Sequence, residues 1–470
     1  MAFRLLSGEP VSCESELGTY GSSIVVGEVR AVLARHLCLE LERVQLVSVG
    51  ALLEDNDTLV MEDSCITVQV MPDPLEAQFA SALGVEHFTD LLKEPCIRVH
   101  GAQLMDLPRG IGQLKDLEEL ILSSSPLKEL PETLGQLSKL RDLRVDTSQL
   151  ISLPRSIGQN LALRELHLSS NELQTLPRSI GELQQLETLN LVHNEIWYLP
   201  DEIGKLRSLR KLHLGSNRLR QLPESLGRLS LLQELYLARN ELETLPDSCC
   251  ELGELQMMQL GNNPLTALPE ALGQLQALQE LHVGEAGLEA LPDSIGKLFQ
   301  ISQLYLAKNK LKALPDIFGL TGLQKLSLRE NCLEKLEESF CSLQSLKKLF
   351  LDSNFLRELP ERFGDLKALE ELHLTDNNLS EIPESFGKLS NLQELRLAAN
   401  QLSTLPESIG QLSELKELFL GFNPLESLPE SMSALTALEE LHLQTTKLTE
   451  LPNCVAELKQ NTGIIVVSEC

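Results

Sequence analysis

The feature that most constrains the fold is a repeat of 23 residues that runs through most of the chain. Leucine or isoleucine, nearly always followed by proline, recurs at this interval, and the one exception is a step of 22 residues between Leu314 and Leu336. A fixed period of this length is typical of solenoid proteins, in which each repeat stacks on the next. Sixteen units lie between residues 96 and 470, and their marker residues are Leu107, Leu130, Leu153, Leu176, Leu199, Leu222, Leu245, Leu268, Leu291, Leu314, Leu336, Leu359, Ile382, Leu405, Leu428 and Leu451.

One complete unit, residues 163–185, reads LRELHLSSNELQTLPRSIGELQQ. Leu166 and Leu168 are two positions apart, which is the strand period that points both side chains to one face. Asn171 comes where the chain leaves this strand, and its amide can satisfy backbone groups of a turn that has no ladder partner. Gly181 is expected to permit the bend that follows. Because one unit cannot bury its leucines alone, stacked units must share one continuous core.

The unit conforms to LxxLxLxxNxLxxLPxxIGxL and resembles the intracellular leucine-rich repeat family, in particular its Ras-group class. The resemblance implies an α/β fold, a solenoid of about 16 repeats with a parallel sheet on its concave face and short helical turns outside. It also implies a scaffold or adaptor that binds proteins on the concave face. The apolar residues of 463–470 predict a last strand that closes the core.

Departures from the repeat mark particular units. The position of Asn171 holds asparagine in eleven of the sixteen units. The terminal units lack it, as expected of capping repeats. Ala286 lies in the middle of the array and cannot make the amide hydrogen bonds, and Glu337 replaces the proline after the 22-residue step.

Residues 1–71 do not follow the repeat and predict short strands around one helix. Apolar residues at 26, 29, 33 and 37 share one helical face, and Ile66, Val68 and Val70 alternate as in a strand. This order of elements and the string VQLVSVGALLEDNDTL resemble ubiquitin, and we predict a small ubiquitin-like β-grasp domain over residues 1–71. No Gly-Gly pair follows Val70 and no lysine precedes Lys93, so conjugation is not expected. Docking through the β-face and a plain β-grasp cap both stay open.

Residues 72–95 are predicted to form a linker and a helical N-terminal cap, and residues 96–470 the solenoid with its C-terminal capping strand. Prolines at 72 and 74 mark the boundary, and the apolar positions of 75–94 fit one or two helices. We expect these helices to cover the open first repeat. An amphipathic helix that binds a partner is the alternative.

Charge and cysteine content narrow the choice of partners and compartment. The net charge of −28 disfavours nucleic acid and anionic membranes, because phosphate groups require a basic face. No run of about 18 apolar residues is present, and the first residues lack an apolar signal core. The ten cysteines form no CxxC pair or metal-finger spacing. Free thiols in a reducing, cytoplasmic location are therefore expected.

The sequence predicts neither an enzyme nor a cofactor, because no GxxxxGK[ST], HExxH, GxSxG or kinase motif is present. Six histidines are predicted to share one strand register. Metal ligands would have to lie on adjacent strands about 5 Å apart, and no two of the six belong to adjacent units, so no metal site is predicted. The six are His100, His167, His213, His282, His373 and His442.

Three groups of residues are predicted to bind a protein partner. The first is the row of rings in the histidine register, because rings on rigid strands offer contact area at low entropy cost; a family preference for a half-polar side chain is the alternative. The second is a charged row two residues earlier, basic in the middle and acidic towards the end, for which solubility is the alternative. The third is an exposed Trp-Tyr pair. Together with Arg396, which relieves part of the acidic row, the residues are His167, Trp197, Tyr198, His213, Tyr236, His282, Tyr305, Lys325, Lys348, Phe350, Glu371, His373, Glu394, Arg396, Glu417, Phe419, Glu440 and His442.

The leading hypothesis is a non-enzymatic scaffold that binds a protein partner in the concavity. The family resemblance implies a small Ras-type GTPase or a signalling enzyme as partner. An adaptor in ubiquitin signalling, which docks through the ubiquitin-like domain, is the alternative. Replacement of Phe350 or Phe419 by alanine is expected to remove little packing, because both residues lie in the outward register.

Overall fold

In this computed structural model the described residues are seven short strands within the first 70 residues, and residues 73–102 and 104–468. The chain packs into two compact units, one of residues 1–94 with 106–114 and one of 95–105 with 115–470. In the first unit, five strands follow the order β2-β1-β7-β4-β5, β1 is parallel to β7, and β3 pairs with β6. The strands are β1 (Phe3–Leu5), β2 (Pro10–Val11), β3 (Ser23–Val25), β4 (Val44–Ser48), β5 (Ala51–Leu52), β6 (Thr58–Val60) and β7 (Ile66–Val70).

The helix predicted around residues 26–37 lies outside the described residues, and the ubiquitin-like domain stays a prediction. Helix α1 (Pro74–Ala82) follows, and the Asp73 carboxylate caps it by accepting a hydrogen bond from the Leu75 amide at 2.9 Å. Two 3₁₀ turns complete this unit, Phe88–Leu91 and Arg109–Gln113. The buried rings of Phe79 and Phe88 contact each other, with centroids 6.2 Å apart. The predicted helical segment is therefore present, and its role as a cap of the repeats stays a prediction.

The second unit is built on one parallel sheet of seventeen strands, in which each strand pairs with the equivalent residues of the next repeat. This confirms the solenoid, and β24 confirms the predicted last strand. The strands are β8 (Cys96–His100), β9 (Glu119–Ser123), β10 (Asp142–Arg144), β11 (Glu165–His167), β12 (Thr188–Asn190), β13 (Lys211–His213), β14 (Glu234–Tyr236), β15 (Met257–Gln259), β16 (Glu280–His282), β17 (Gln303–Tyr305), β18 (Lys325–Ser327), β19 (Lys348–Phe350), β20 (Glu371–His373), β21 (Glu394–Arg396), β22 (Glu417–Phe419), β23 (Glu440–His442) and β24 (Ile465–Val467).

Most repeats return through a short 3₁₀ turn that begins after the proline of the repeat, and helix α2 (Asn453–Thr462) precedes the last strand. The described part of the chain offers no helix with the length and apolar character that a bilayer span requires. The 3₁₀ turns of this unit are Glu132–Gln136, Arg155–Gln159, Arg178–Glu182, Asp201–Lys205, Glu224–Arg228, Asp247–Glu251, Leu272–Gln274, Asp293–Lys297, Glu338–Ser342, Phe363–Asp365, Glu384–Lys388, Glu407–Gln411 and Glu430–Ala434.

The core is a stack of leucines held at its edge by asparagine amides. Leu166 and Leu168 are fully buried, as their alternation predicts. The amide of Asn171 donates to the carbonyl oxygens of Val145 and Leu168 at 2.6 and 3.0 Å, and its oxygen accepts from the Leu150 amide at 3.0 Å. All eleven asparagines of this register are buried, so the predicted role of the amide is confirmed.

The structure assigns a different role to the repeat glycine. Gly181 does not adopt a left-handed conformation; a Cβ atom there would lie 2.6 Å from the carbonyl oxygen of Glu202 in the next turn. The glycine is needed for close approach of neighbouring turns, so the expectation of a special bend was wrong. The left-handed position is instead Ser170, with φ of 55°, and its equivalents in fourteen other repeats are also non-glycine residues.

Two irregular repeats differ locally from the rest. At Ala286 no amide is available, and the Leu265 N–H bonds to the carbonyl of Asn263 at 2.8 Å instead. In the 22-residue unit the described chain forms turns but no 3₁₀ helix between Asp293–Lys297 and Glu338–Ser342. A groove of about 220 Å³ opens there, lined in part by Leu314 and Phe340.

Candidate functional site

The face of the β8–β24 sheet that points away from the leucine core carries most of the predicted partner-binding residues. We call this surface the sheet face. The first residues of the strands form the charge row, and the third residues form the ring row. Equivalent residues of neighbouring strands stand directly opposite each other. Of the eighteen predicted residues, sixteen lie in these two rows.

The ring row is a series of pairs and not a continuous ridge. Each of four pairs joins a histidine to a tyrosine or phenylalanine, and one non-aromatic residue separates each pair from the next. The ring centroids are 4.3 Å apart in His213–Tyr236, 4.2 Å in His282–Tyr305, 4.9 Å in Phe350–His373 and 4.3 Å in Phe419–His442. The separating residues are Gln259, Ser327 and Arg396. His167 stands alone, opposite Asn190. The predicted register was wrong for His100, because Arg98 is the residue of β8 in line with Ile121, Arg144 and His167.

Burial affects both the charge of the histidines and the exposure of the other rings in these pairs. Burial lowers the pKa of His213 and of His282, so both imidazoles are neutral near pH 7. Phe350 is only 8% exposed, because the Arg329 guanidinium lies 4.3 Å from its ring centroid and His373 covers its edge. The expectation that replacing Phe350 removes little packing was therefore wrong, whereas Phe419 is half-buried.

From Lys325 onwards the charge row separates by sign, as the sequence predicts, but its members are not equivalent. Lys325 stands opposite Lys348, and Lys348 pairs with Glu371 at 2.7 Å. Glu371 therefore belongs to the basic section as its counter-ion. The acidic section starts at Glu394 and continues directly to Glu417 and Glu440.

Glu417 is the least compensated carboxylate of the acidic section. Glu394 accepts a hydrogen bond from Arg396, and Glu440 lies 3.2 Å from the imidazole of His442. Glu417 makes no ion pair with a residue that the structure describes. Burial, followed by the charges of Glu394 and Glu440, raises its pKa above the ordinary value of 4.5. This section is therefore a local concentration of negative charge.

The junction of the two sections is a buried network centred on His373. Arg329 donates to Nδ1 of His373 and pairs with Asp352 at 2.7 Å. Because arginine can only donate, Nδ1 must hold a lone pair, and neutral His373 carries its proton on Nε2. Nε2 faces Glu394 at 3.0 Å and Glu371 at 3.1 Å. Burial lowers the pKa of His373, which favours this neutral form.

Two clusters on the sheet face have the spacing of metal ligands. Neither was predicted from the sequence, because each joins a single imidazole to carboxylates and not to a second imidazole. In the first, the ligand atoms of Glu371, His373 and Glu394 lie within 4.8 Å of one another. A metal on Nε2 of His373 would force the proton onto Nδ1, against the N–H of Arg329. This cluster therefore suits a shared proton better than a cation.

The second cluster joins Asp142, Glu165 and His167 with the same spacing. Here Arg144 donates to Asp142 at 2.9 Å and to Glu165 at 2.8 Å, so the guanidinium neutralises the carboxylates that a metal would need. Arg144, Arg329 and Asp352 were not among the predicted site residues. Their signal is weak in sequence, because each becomes significant only through a neighbour one repeat away.

The Trp197–Tyr198 pair lies away from the sheet face rows. Trp197 is 57% exposed and Tyr198 is 38% exposed, and their ring centroids are 5.9 Å apart. The pair is therefore an apolar patch on the surface, as the sequence predicts, and its role in binding stays a prediction.

Three buried thiols, those of Cys249, Cys250 and Cys341, are poor nucleophiles. Burial raises the pKa of Cys249 to about 12 and that of Cys250 to about 11, and it raises the pKa of Cys341 to about 12. A thiol with such a pKa is protonated at neutral pH, and the thiolate is the reactive form. The arrangement of the sheet face, with rigid rings and segregated charges, is suited to recognition.

Comparisons with known proteins agree on one family. Sequence models described as leucine-rich repeat region match residues 152–219, 201–291 and 372–467, and one described as leucine rich repeat matches residues 299–356. A solved leucine-rich repeat protein of Leptospira interrogans is 34% identical, with a TM-score of 0.73, over 80% of this chain and 97% of that chain. No curated protein sequence matches.

Two further structures are similar. The leucine-rich effector YopM of Yersinia pestis is 26% identical, with a TM-score of 0.52, over 85% of this chain and 95% of its own. The ectodomain of the plant membrane receptor kinase GASSHO1/SCHENGEN3 of Arabidopsis thaliana was solved in complex with CASPARIAN STRIP INTEGRITY FACTOR 2. It is 28% identical, with a TM-score of 0.59, over 79% of this chain and 49% of that chain, so the match spans about half of the receptor ectodomain.

Proposed function

Because this chain belongs to the leucine-rich repeat family, we propose that it is a non-enzymatic scaffold that binds a protein partner on the sheet face. The observation that carries the proposal is the series of four ring pairs fixed on neighbouring strands. Rings held on rigid strands lose little conformational entropy when a partner covers them. The resemblance to a receptor ectodomain solved with a bound factor supports a binding role.

The finer parts of the proposal rest on the sequence. The Ras-group form of the repeat favours a small Ras-type GTPase or a signalling enzyme as partner, and the thiol chemistry favours a cytoplasmic location. The acidic section would steer a partner with a complementary basic surface, in a salt-dependent manner.

Site-specific photo-crosslinking on the full chain tests where the partner lies. A photoreactive residue replaces Gln259, between two ring pairs on the sheet face, and in a matched chain it replaces Gln274, in a 3₁₀ turn on the opposite side of the repeat. We expect crosslinks to the cellular partner from position 259 and none from position 274. Crosslinks that form only from position 274 would contradict the sheet face as the binding surface.

An adaptor role in ubiquitin signalling is a second candidate, favoured by the strand order β2-β1-β7-β4-β5 of the first unit. In this role residues 1–71 would dock on a ubiquitin ligase or a proteasome receptor. Affinity capture with the full chain and with a chain that lacks residues 1–71 tests it. Loss of ubiquitin-system proteins from the shorter chain supports docking, and equal capture by both chains contradicts it.

A further inference from the structure

The ring row has a gap at Ser327, in the strand that belongs to the 22-residue unit. Ser327 stands between Tyr305 on one neighbouring strand and Phe350 on the other. It is 8% exposed, and its hydroxyl makes no hydrogen bond with a residue in the described ranges. Neighbouring strands are about 4.8 Å apart, so the two rings flank a slot roughly 10 Å from strand to strand.

The side chain of Lys325 extends over this slot. Its Nζ atom lies 5.0 Å from the centroid of Tyr305 and 5.6 Å from that of Phe350, so both rings contact the same ammonium group. Cation–π contacts of this kind fix a lysine head group without neutralising its charge. The slot therefore presents a positioned, half-buried cation.

Lys325 differs from the other lysines of the charge row in having no counter-ion. Lys211 pairs with Glu234 at 2.7 Å, and Lys348 pairs with Glu371 at 2.7 Å. Lys325 makes no ion pair within the part of the chain that the structure describes. An uncompensated cation beside a hydroxyl that has no hydrogen-bond partner among the described residues leaves both groups available to one acceptor from outside.

Resting on the proposed scaffold function, we propose that the slot around Lys325 and Ser327 binds the carboxylate of an aspartate or glutamate side chain of the protein partner. One uncompensated positive charge matches one carboxylate, whereas a phosphate group carries roughly −1.5 to −2 and would stay under-neutralised. A carboxylate can accept from the ammonium and from the hydroxyl together. The net charge of −28 does not prevent this, because salt screens charges that lie beyond about 8–10 Å.

The test uses the full chain labelled with ¹³C-lysine, and the probe is the peptide acetyl-Gly-Glu-Gly-amide. NMR titration follows the Lys325 signal, assigned with Lys325→Gln, and the Lys211 signal serves as the matched control. We expect saturable shifts of Lys325, binding roughly fivefold weaker for the Gly-Gln-Gly peptide, and little response of Lys211. Ser327→Ala should weaken binding of the Glu peptide and keep the Lys325 position.

Three results would overturn the assignment: equal binding of the Gln peptide, an equal response of Lys211, or tighter binding of inorganic phosphate than of the Glu peptide. The last result would assign the slot to a small anion. Crosslinking of the partner from position 259 is independent of these titrations. If it succeeds while Lys325 does not respond, the slot is refuted and partner binding on the sheet face stands. If it fails, partner binding on the sheet face is refuted separately.

Discussion

Asn217→Ala tests how much stability the asparagine register contributes at one repeat. The Asn217 amide donates to the carbonyl oxygens of Leu191 and Leu214 at 2.9 Å each, and its oxygen accepts from the Ile196 amide at 2.9 Å. Each of the two carbonyls also accepts from a second asparagine, Asn194 for Leu191 and the next asparagine for Leu214. The substitution therefore leaves only the Ile196 N–H without a partner.

An orphaned buried donor costs about 1–3 kcal/mol. The repeat at Ala286 shows how the backbone responds, because the equivalent Leu265 N–H bonds to a local carbonyl at 2.8 Å. That relaxation places the expected loss for Asn217→Ala in the lower half of the range, about 1–2 kcal/mol. A local effect of this size is also expected to stay near the altered repeat, since repeats interact with their nearest neighbours.

Native-state hydrogen exchange measures the prediction, because a long repeat array need not unfold in a two-state manner. We expect faster exchange of the Ile196 amide and of adjacent amides in Asn217→Ala. Asn190→Ala is the matched control, because the Asn190 side chain lies on the sheet face and accepts only from the Val192 amide. Unchanged exchange at Ile196, or an equal effect of the control, would refute the assignment of stability to the buried amide.

Three further results are expected. Gly204→Ala should lower the free energy of unfolding by roughly 1–3 kcal/mol, because its Cβ would lie 2.2 Å from a carbonyl oxygen of the next turn. The Cβ of Gly253→Ala would meet no atom within 4 Å, so this control should be near neutral. Urea denaturation measures both variants. Iodoacetamide should leave Cys249 and Cys341 unmodified at pH 8 in the native chain and modify both in urea, since burial raises each pKa to about 12. Equal rates of modification in the native chain and in urea would contradict their burial. Glu417 holds its proton more tightly in the folded chain, so its ionisation lowers stability as pH rises above its ordinary pKa of 4.5. The melting temperature of Glu417→Gln should therefore rise relative to that of the wild type between about pH 4 and pH 7. A difference in melting temperature that stays constant with pH would contradict the raised pKa.

The repeat predicted the sheet, its register and the buried amide because each depends on residues of one type at one spacing. It did not predict the ring pairs, since these depend on which side chains meet across neighbouring strands. Phe350 is the clearest case: its outward register was correct, but Arg329 covers the ring, and that contact needs a long side chain one repeat earlier.

Backbone geometry was also beyond the sequence. Residues as different as Ser170, His193 and Phe422 share the left-handed conformation just before the asparagine, so no residue type marks the position. The glycine of the 3₁₀ turn was visible, but its reason was not, because a close approach between turns depends on their spacing in three dimensions.

The shared carbonyls of the asparagine register give the array a tolerance to isolated loss. Leu191 accepts from both Asn194 and Asn217, so removing one amide leaves the carbonyl partnered and removing both does not. Neighbouring losses should therefore cost more than their sum, while distant losses should add. The chain fits this rule: within the array the asparagine is missing singly, at Ala286, and consecutive absences occur at the first three repeats. Redundancy of this kind allows single repeats to change sequence without an immediate loss of the solenoid.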